Sequence, residues 1–215
     1  MTDRRERLRA AHLYLVCGEQ PDQFLEAALR GGVDLVQLRM KDAPDHAILA
    51  SARVFKRACD EHGALLILND RPDLAAAADA DGVHLGQDDA SVAGARATLG
   101  DDRLIGLSTH TPEQVDAAAS AGVDYIGIGP VNETPTKPGR PAVGLDLVRY
   151  ATAHARLPFF AIGGISSANA AAVAAAGARR IAVVRALTEA ADPEAVAREL
   201  SEALKLSEEA TVGSA

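Results

Sequence analysis

Eight short apolar runs, Ala-rich segments of helical spacing between them, and a polar group just past nearly every run predict an α/β fold. It is a single (β/α)8 TIM barrel with its site at one rim. The runs span residues 12–17, 33–38, 64–68, 82–85, 103–107, 124–128, 158–162 and 179–184 and are rich in Val, Ile and Leu. Continuous apolar character, without alternation, is what parallel strands buried on both faces require.

Between the runs lie segments such as 48–61, 112–121 and 168–176, with apolar residues at three- and four-residue steps. Each is long enough to serve as the crossover helix that joins two parallel strands. Gly31-Gly32, Gly63, Gly122 and Gly177 each stand between a helical pattern and a strand, a weak internal repeat in which glycine stops the helix. Helix starts are marked by Thr111-Pro112, a cap followed by proline, and by Ser166 after Gly163-Gly164. One domain is expected over 1–215, with flexible ends at about 1–10 and 207–215.

At 215 residues and 48% hydrophobic, the chain can bury a sizeable core. Its two cysteines, Cys17 and Cys59, each sit within an apolar pattern and read as buried thiols, which makes a reducing cytoplasm the default location. No apolar run reaches the roughly 18 residues of a membrane span, and the charged stretch 4–9 has no apolar segment behind it. A net charge of −8 with 3% aromatics argues against a nucleic-acid surface. Any anionic ligand must therefore be held by a local cluster of donors.

Four constellations supply such donors. In Gln37-Leu38-Arg39-Met40-Lys41, strand alternation puts Gln37, Arg39 and Lys41 on one face, where the two cations can grip phosphate oxygens; solvated basic residues are the plain alternative. Asn69 and Asp70 end the third run, and Asp89 follows the fourth. Adjacent parallel strands lie about 4.8 Å apart, so the two carboxylates can approach one point and share a hard cation such as Mg²⁺. The alternative is that each caps the next helix. His84 lies inside its strand and reads as packed rather than catalytic. The stretch 127–130 runs into Thr134-Pro135-Thr136-Lys137, a long loop with hydroxyls and a lysine suited to closing over phosphate. Gly163-Gly164 after the seventh run and Val184-Arg185 after the eighth match the common barrel phosphate site.

Taken in order, Gln37 to Lys41, Asn69-Asp70-Arg71, the stretch 81–89, Gly106 to His110, the stretch 124–130, Thr134 to Lys137 and the stretch 161–165 resemble thiamine phosphate synthases, a TIM-barrel family. The resemblance covers about residues 12–187. It implies a transferase of thiamine biosynthesis that joins 4-amino-2-methyl-5-hydroxymethylpyrimidine diphosphate to a carboxylated thiazole phosphate, releasing pyrophosphate and CO2. By the same resemblance, Asp70 and Asp89 hold Mg²⁺. Gln37, Leu38, Arg39, Met40, Lys41, Asn69, Ser108 and Lys137 take the pyrimidine diphosphate, with Lys137, Ser108 and Arg39 catalytic. Thr134, Pro135, Thr136, Gly164, Val184 and Arg185 take the thiazole phosphate.

Two positions depart from that family's pattern: Met40 stands for an acidic residue and Arg185 for a serine. The second bears on which thiazole phosphate fits. A thiazole tautomerase on the same barrel, and a catalytically silent phosphate-ligand sensor, are the rival readings. Dependence on Mg²⁺ separates the tautomerase from the synthase. The partners implied are phosphorylated small molecules, with neither nucleic acid nor membrane; the Ala-rich helix at 168–176 leaves a homo-oligomer open.

Overall fold

The computed structural model describes residues 3–133 and 141–212, with side chains described to residue 205. In chain order its elements are α1 (Arg4–Ala10), β1 (Leu13–Cys17), α2 (Asp22–Arg30), β2 (Leu35–Leu38), α3 (Asp45–His62), β3 (Leu65–Asn69), α4 (Pro72–Ala77), β4 (Gly82–Leu85) and α5 (Val92–Leu99). They continue with β5 (Leu104–Thr109), α6 (Pro112–Ala118), β6 (Tyr125–Ile128), α7 (Gly144–His154), β7 (Phe159–Ile162), α8 (Ser167–Ala175), β8 (Ile181–Val183), α9 (Arg185–Thr188) and α10 (Pro193–Val212). The eight strands pair in parallel in sequence order, and β1 closes the barrel on β8. Among the described residues no helix is long and apolar enough to cross a membrane.

Strand alternation divides the apolar residues into two layers. Tyr14, Leu35, Leu65, Leu104, Tyr125, Phe160 and Ala182 fill the inside of the barrel. Their neighbours in sequence, such as Leu15, Val36, Leu66, Ile105, Ile126 and Ala161, face outward against helix residues including Leu25, Phe55, Val115, Val148 and Val173. Because both layers are apolar, the strands show the unbroken hydrophobic runs seen in the sequence.

Gly32, Gly63, Gly122 and Gly177 all have positive φ shortly ahead of a strand, as the repeat implies; Gly31 remains right-handed and hands that role to Gly32. Thr111 caps α6 by accepting the Gln114 N–H, and Asn169 Oδ1 accepts the Ser166 N–H at the start of α8.

At the N-terminal end the structure departs from the expected flexibility. Residues 4–10 form α1 beneath the barrel, because Leu8 enters the inner apolar layer at 1% exposure. The backbone at 207–212 continues α10.

A further regularity closes the lower end. Asp34, Asp81 and Asp124 each stand just ahead of an even-numbered strand and accept backbone N–H groups from the preceding one. Asp34 takes those of His12 and Leu13, Asp81 that of Leu66 and Asp124 that of Ile105. Arg4 and Arg5 of α1 pair with Asp81 and Asp124 at 2.9 and 2.8 Å. With that end plugged, the open rim at the strands' C-terminal ends is left for a ligand.

Candidate active site

A cavity of about 380 Å³ opens at that rim and descends into the barrel as far as Tyr14 and Phe160. Most of its described wall is made of strand ends and the turns that follow them. β2 contributes Gln37 and, just beyond its end, Arg39 and Lys41; β3 and its turn contribute Asn69 and Asp70; the turn after β4 supplies Gly86 and Asp89. Ser108 comes from β5, Gly163 to Ser166 follow β7, and Val184 and Arg185 follow β8.

Alternation explains which members of the first constellation reach the cavity. Gln37, Arg39 and Lys41 line it, whereas Leu38 and Met40, one residue out of phase, pack in the layer between barrel and helices. The side chains of Leu38 and Met40 are thus removed from the expected binding set by the pleat of β2 and its extension.

The carboxylates Asp70 and Asp89 both line the cavity, and neither caps a helix. The residue ahead of α4 is Arg71, which makes no side-chain cap, and α5 is capped by Ser91. Asp70 holds a left-handed backbone at φ 61°, a conformation that Asp tolerates better than most residues. Its Oδ2 accepts from Asn69 Nδ2 and lies 3.2 Å from Lys41 Nζ. Asp89 Oδ2 accepts the Gly86 N–H at 2.9 Å, closing its turn. Arg71, which follows Asp70, bonds Asp45 at the start of α3 and Asp73 in α4 and so fixes the turn from behind. These bonds hold Asp45 and Asp73 below the usual carboxylate range.

On the far wall, Gly164 has φ 59°, and its carbonyl accepts from Asn169 Nδ2 at 2.8 Å, which ties the turn to α8. Ser166 and Arg185 stand beside it on the wall. Thr134, Pro135, Thr136 and Lys137 lie outside the described residues.

The floor of the cavity holds residues that the sequence does not single out. His84, expected to be packed, lines the cavity: its Nε2 is 3.0 Å from Ser108 Oγ and its Nδ1 is 3.2 Å from Tyr125 Oη. His84 and Gly82 alternate with outward-facing Val83 and Leu85, so phase along β4 held the signal. His110, Phe160, Ile162 and Glu189 also line the cavity. Nothing in the sequence marks Glu189, which arrives through the turn of α9.

Donors, carboxylates and an apolar floor converge at the C-terminal rim of a parallel barrel, which defines the class: a (β/α)8 enzyme with a mixed-charge small-molecule site. Comparison with known proteins agrees. The family model described as "Thiamine monophosphate synthase" matches residues 13–187. The thiamine-phosphate synthase of Thermobifida fusca is 55% identical over 207 residues, covering 93% of this chain and 95% of the relative. That of Thermosynechococcus vestitus is 50% identical over 199 residues, or 92% of this chain, which spans only 57% of that longer relative. A solved thiamine phosphate pyrophosphorylase from Pyrococcus furiosus superposes with a TM-score of 0.84 at 31% identity, covering 94% of this chain and 98% of its own. The chain belongs to the thiamine monophosphate synthase family, transferases of thiamine biosynthesis.

Proposed function

We propose that the chain, as one catalytic domain, condenses 4-amino-2-methyl-5-hydroxymethylpyrimidine diphosphate with carboxylated thiazole phosphate, giving thiamine phosphate, pyrophosphate and CO2. The observation that carries this reading is the meeting, in one cavity, of Gln37, Arg39, Lys41, Asn69, Asp70, Asp89 and Ser108 with the Gly164 and Arg185 wall. A relative matched almost end to end at 55% identity supports it.

Breaking the bond from carbon to diphosphate leaves a charged pyrophosphate and a cationic pyrimidine methylene. Gln37 and Asn69 hold the ring, while Arg39, Lys41 and Ser108 donate to the departing oxygens as their charge grows. Lys137, outside the described residues, joins them in this reading. The thiazole nitrogen is the nucleophile, so no side chain attacks. Gly164, Ser166 and Arg185 anchor the thiazole phosphate and set that nitrogen against the methylene, with Thr134, Pro135 and Thr136 completing the anchor. Val16, Phe160 and Ile162 line the floor with apolar surface that keeps water from the cation.

Two carboxylates on one wall, with room beside them for diphosphate oxygens, fit Mg²⁺, which takes one or two carboxylates plus phosphate and water. Asp70 and Asp89 would hold it. When bound, the ion neutralises charge on the leaving pyrophosphate. Among the described residues no group of three or more His, Cys, Asp or Glu side chains could hold a metal ion by itself.

The test is product analysis with both substrates, with Mg²⁺ or with chelator. Metal-dependent thiamine phosphate and pyrophosphate in equal amounts are expected. Isomerisation of the thiazole alone would replace this reading with the tautomerase.

A further inference from the structure

Gln37 on β2 and Ser108 on β5 are three strands apart, yet an unbroken run of side-chain hydrogen bonds joins them through the barrel. Gln37 Nε2 donates to Tyr14 Oη at 2.6 Å, and Tyr14 Oη is 3.0 Å from Tyr125 Oη. Tyr125 Oη is 3.2 Å from His84 Nδ1, and His84 Nε2 is 3.0 Å from Ser108 Oγ.

The space for this run is built into the strands. A Cβ on Gly106 would sit 2.5 Å from both His84 Nδ1 and Tyr125 Oη, so glycine is what lets those two atoms meet. Phe160 packs edge-on against both tyrosines, at 5.2 and 5.7 Å between ring centres, and holds their positions independently of the hydroxyls. Burial pushes both hydroxyls well above the usual phenol range, so each keeps its proton.

Each hydroxyl has one proton, so the donors must run in one direction. With Gln37 donating, Tyr14 donates to Tyr125 and Tyr125 to His84 Nδ1. His84 then carries its proton on Nε2 and gives it to Ser108 Oγ. The two ends follow: the Gln37 carbonyl oxygen is left for the cavity, and so is the Ser108 proton. Reversing the run would present an amide N–H at Gln37 and a lone pair at Ser108. A break in direction sets two lone pairs face to face, or leaves a buried tyrosine proton without an acceptor.

We infer that Tyr125 is a positioning residue which, through Tyr14 and His84, locks an acceptor at Gln37 to a donor at Ser108 and so selects a ring that donates, attached to a leaving group that accepts. This rests on the reading above, in which the ring is a 4-aminopyrimidine and the leaving group a diphosphate. An amino group gives its proton to Gln37 Oε1, and a diphosphate oxygen accepts from Ser108. A 4-oxo ring meets oxygen with oxygen at Gln37 and is refused, because turning the amide would reverse Ser108 as well.

The experiment joins a spectroscopic and a kinetic readout. In protein labelled with 15N-histidine, at a pH where the ring is neutral, His84 is assigned by its disappearance in His84→Gln. The wild type is expected to show the Nε2–H tautomer, and Tyr125→Phe a mixture. In competition between the 4-amino and 4-oxo pyrimidine diphosphates, Tyr125→Phe and Tyr14→Phe are each expected to lower discrimination about tenfold. The double variant should add little, since either change cuts the same run. An Nδ1–H tautomer in the wild type, or unchanged discrimination in both variants with their folds intact, overturns the inference. If the Nε2–H tautomer is present but the wild type makes no thiamine phosphate, the failure falls on the functional reading and the hydrogen-bond run stands.

Discussion

Lys41 Nζ lies 3.2 Å from Asp70 Oδ2, so a carboxylate assigned to Mg²⁺ already has a cation of the protein beside it. In the proposed reaction the ion and Lys41 compete for Asp70, and Lys41 also donates to the diphosphate. Lys41→Met is expected to move two constants in opposite directions. Half-saturation by Mg²⁺ should fall a fewfold, and the KM for the pyrimidine diphosphate should rise about tenfold, the scale of one lost charge-assisted hydrogen bond. Initial rates across both concentrations check this; an unchanged KM would place Lys41 beyond the substrate's reach.

Asp70→Asn keeps the shape of the side chain and its tolerance of a left-handed backbone at φ 61° but removes the charge. We expect a loss of about a hundredfold or more in kcat at any Mg²⁺ concentration, with little change in melting temperature. Recovery of full rate at high Mg²⁺ would mean that Asp89 alone suffices.

Gly164 has φ 59°, and a Cβ there would lie 2.9 Å from both Asn132 Cβ and Glu133 O. Gly164→Ala must shift the turn that follows β7. The KM for thiazole phosphate should rise about tenfold while that for the pyrimidine diphosphate stays within twofold. Equal changes in both would show that the turn serves the whole cavity rather than one substrate.

At the closed end, Asp81 is 2% exposed and bonds both Arg4 and the Leu66 N–H. Asp81→Ala leaves the guanidinium and the amide without that partner and should cost about 3 kcal/mol. For a chain of this size that is a fall in Tm of roughly 6–12 °C, read by calorimetry. Activity at 25 °C should be kept, because the residue lies at the opposite end from the cavity.

Burial pushes the Cys17 thiol up to about 12 and the Cys59 thiol higher still. An exposed thiol in the unfolded chain ionises near about 8.5, so above that pH the unfolded state binds fewer protons than the folded one. Stability from these thiols is therefore complete below about pH 8.5 and is lost as pH rises toward 12. Urea midpoints should hold level from pH 7 to 8 and fall above 9. Neither thiol should react with Ellman's reagent until the chain is denatured; a reactive native thiol would contradict the packing.

The barrel can be read from its apolar runs. Eight doubly buried strands must be apolar throughout, so each announces itself within a residue or two of its observed bounds. Polar groups at strand ends have no role in a core, so Gln37, Arg39, Lys41, Asn69, Asp70, Asp89 and Ser108 stood out and do meet on one wall. What an unbroken apolar run hides is phase. Alternation sets Leu38 and Met40 on the face away from Gln37, Arg39 and Lys41, and only the family resemblance adds them to the binding set, whereas within the short run at 82–85 nothing tells an inward residue from an outward one and His84 reads as packed.

Only the closed barrel settles that phase, because pairing β1 to β8 fixes which side of every strand faces the axis. Closure also decides contacts between residues far apart in sequence. Tyr14 reaches Tyr125 across 111 positions, and Arg4 reaches Asp81 across 77. Such contacts depend on the three-dimensional path of the chain, and local spacing holds no record of it.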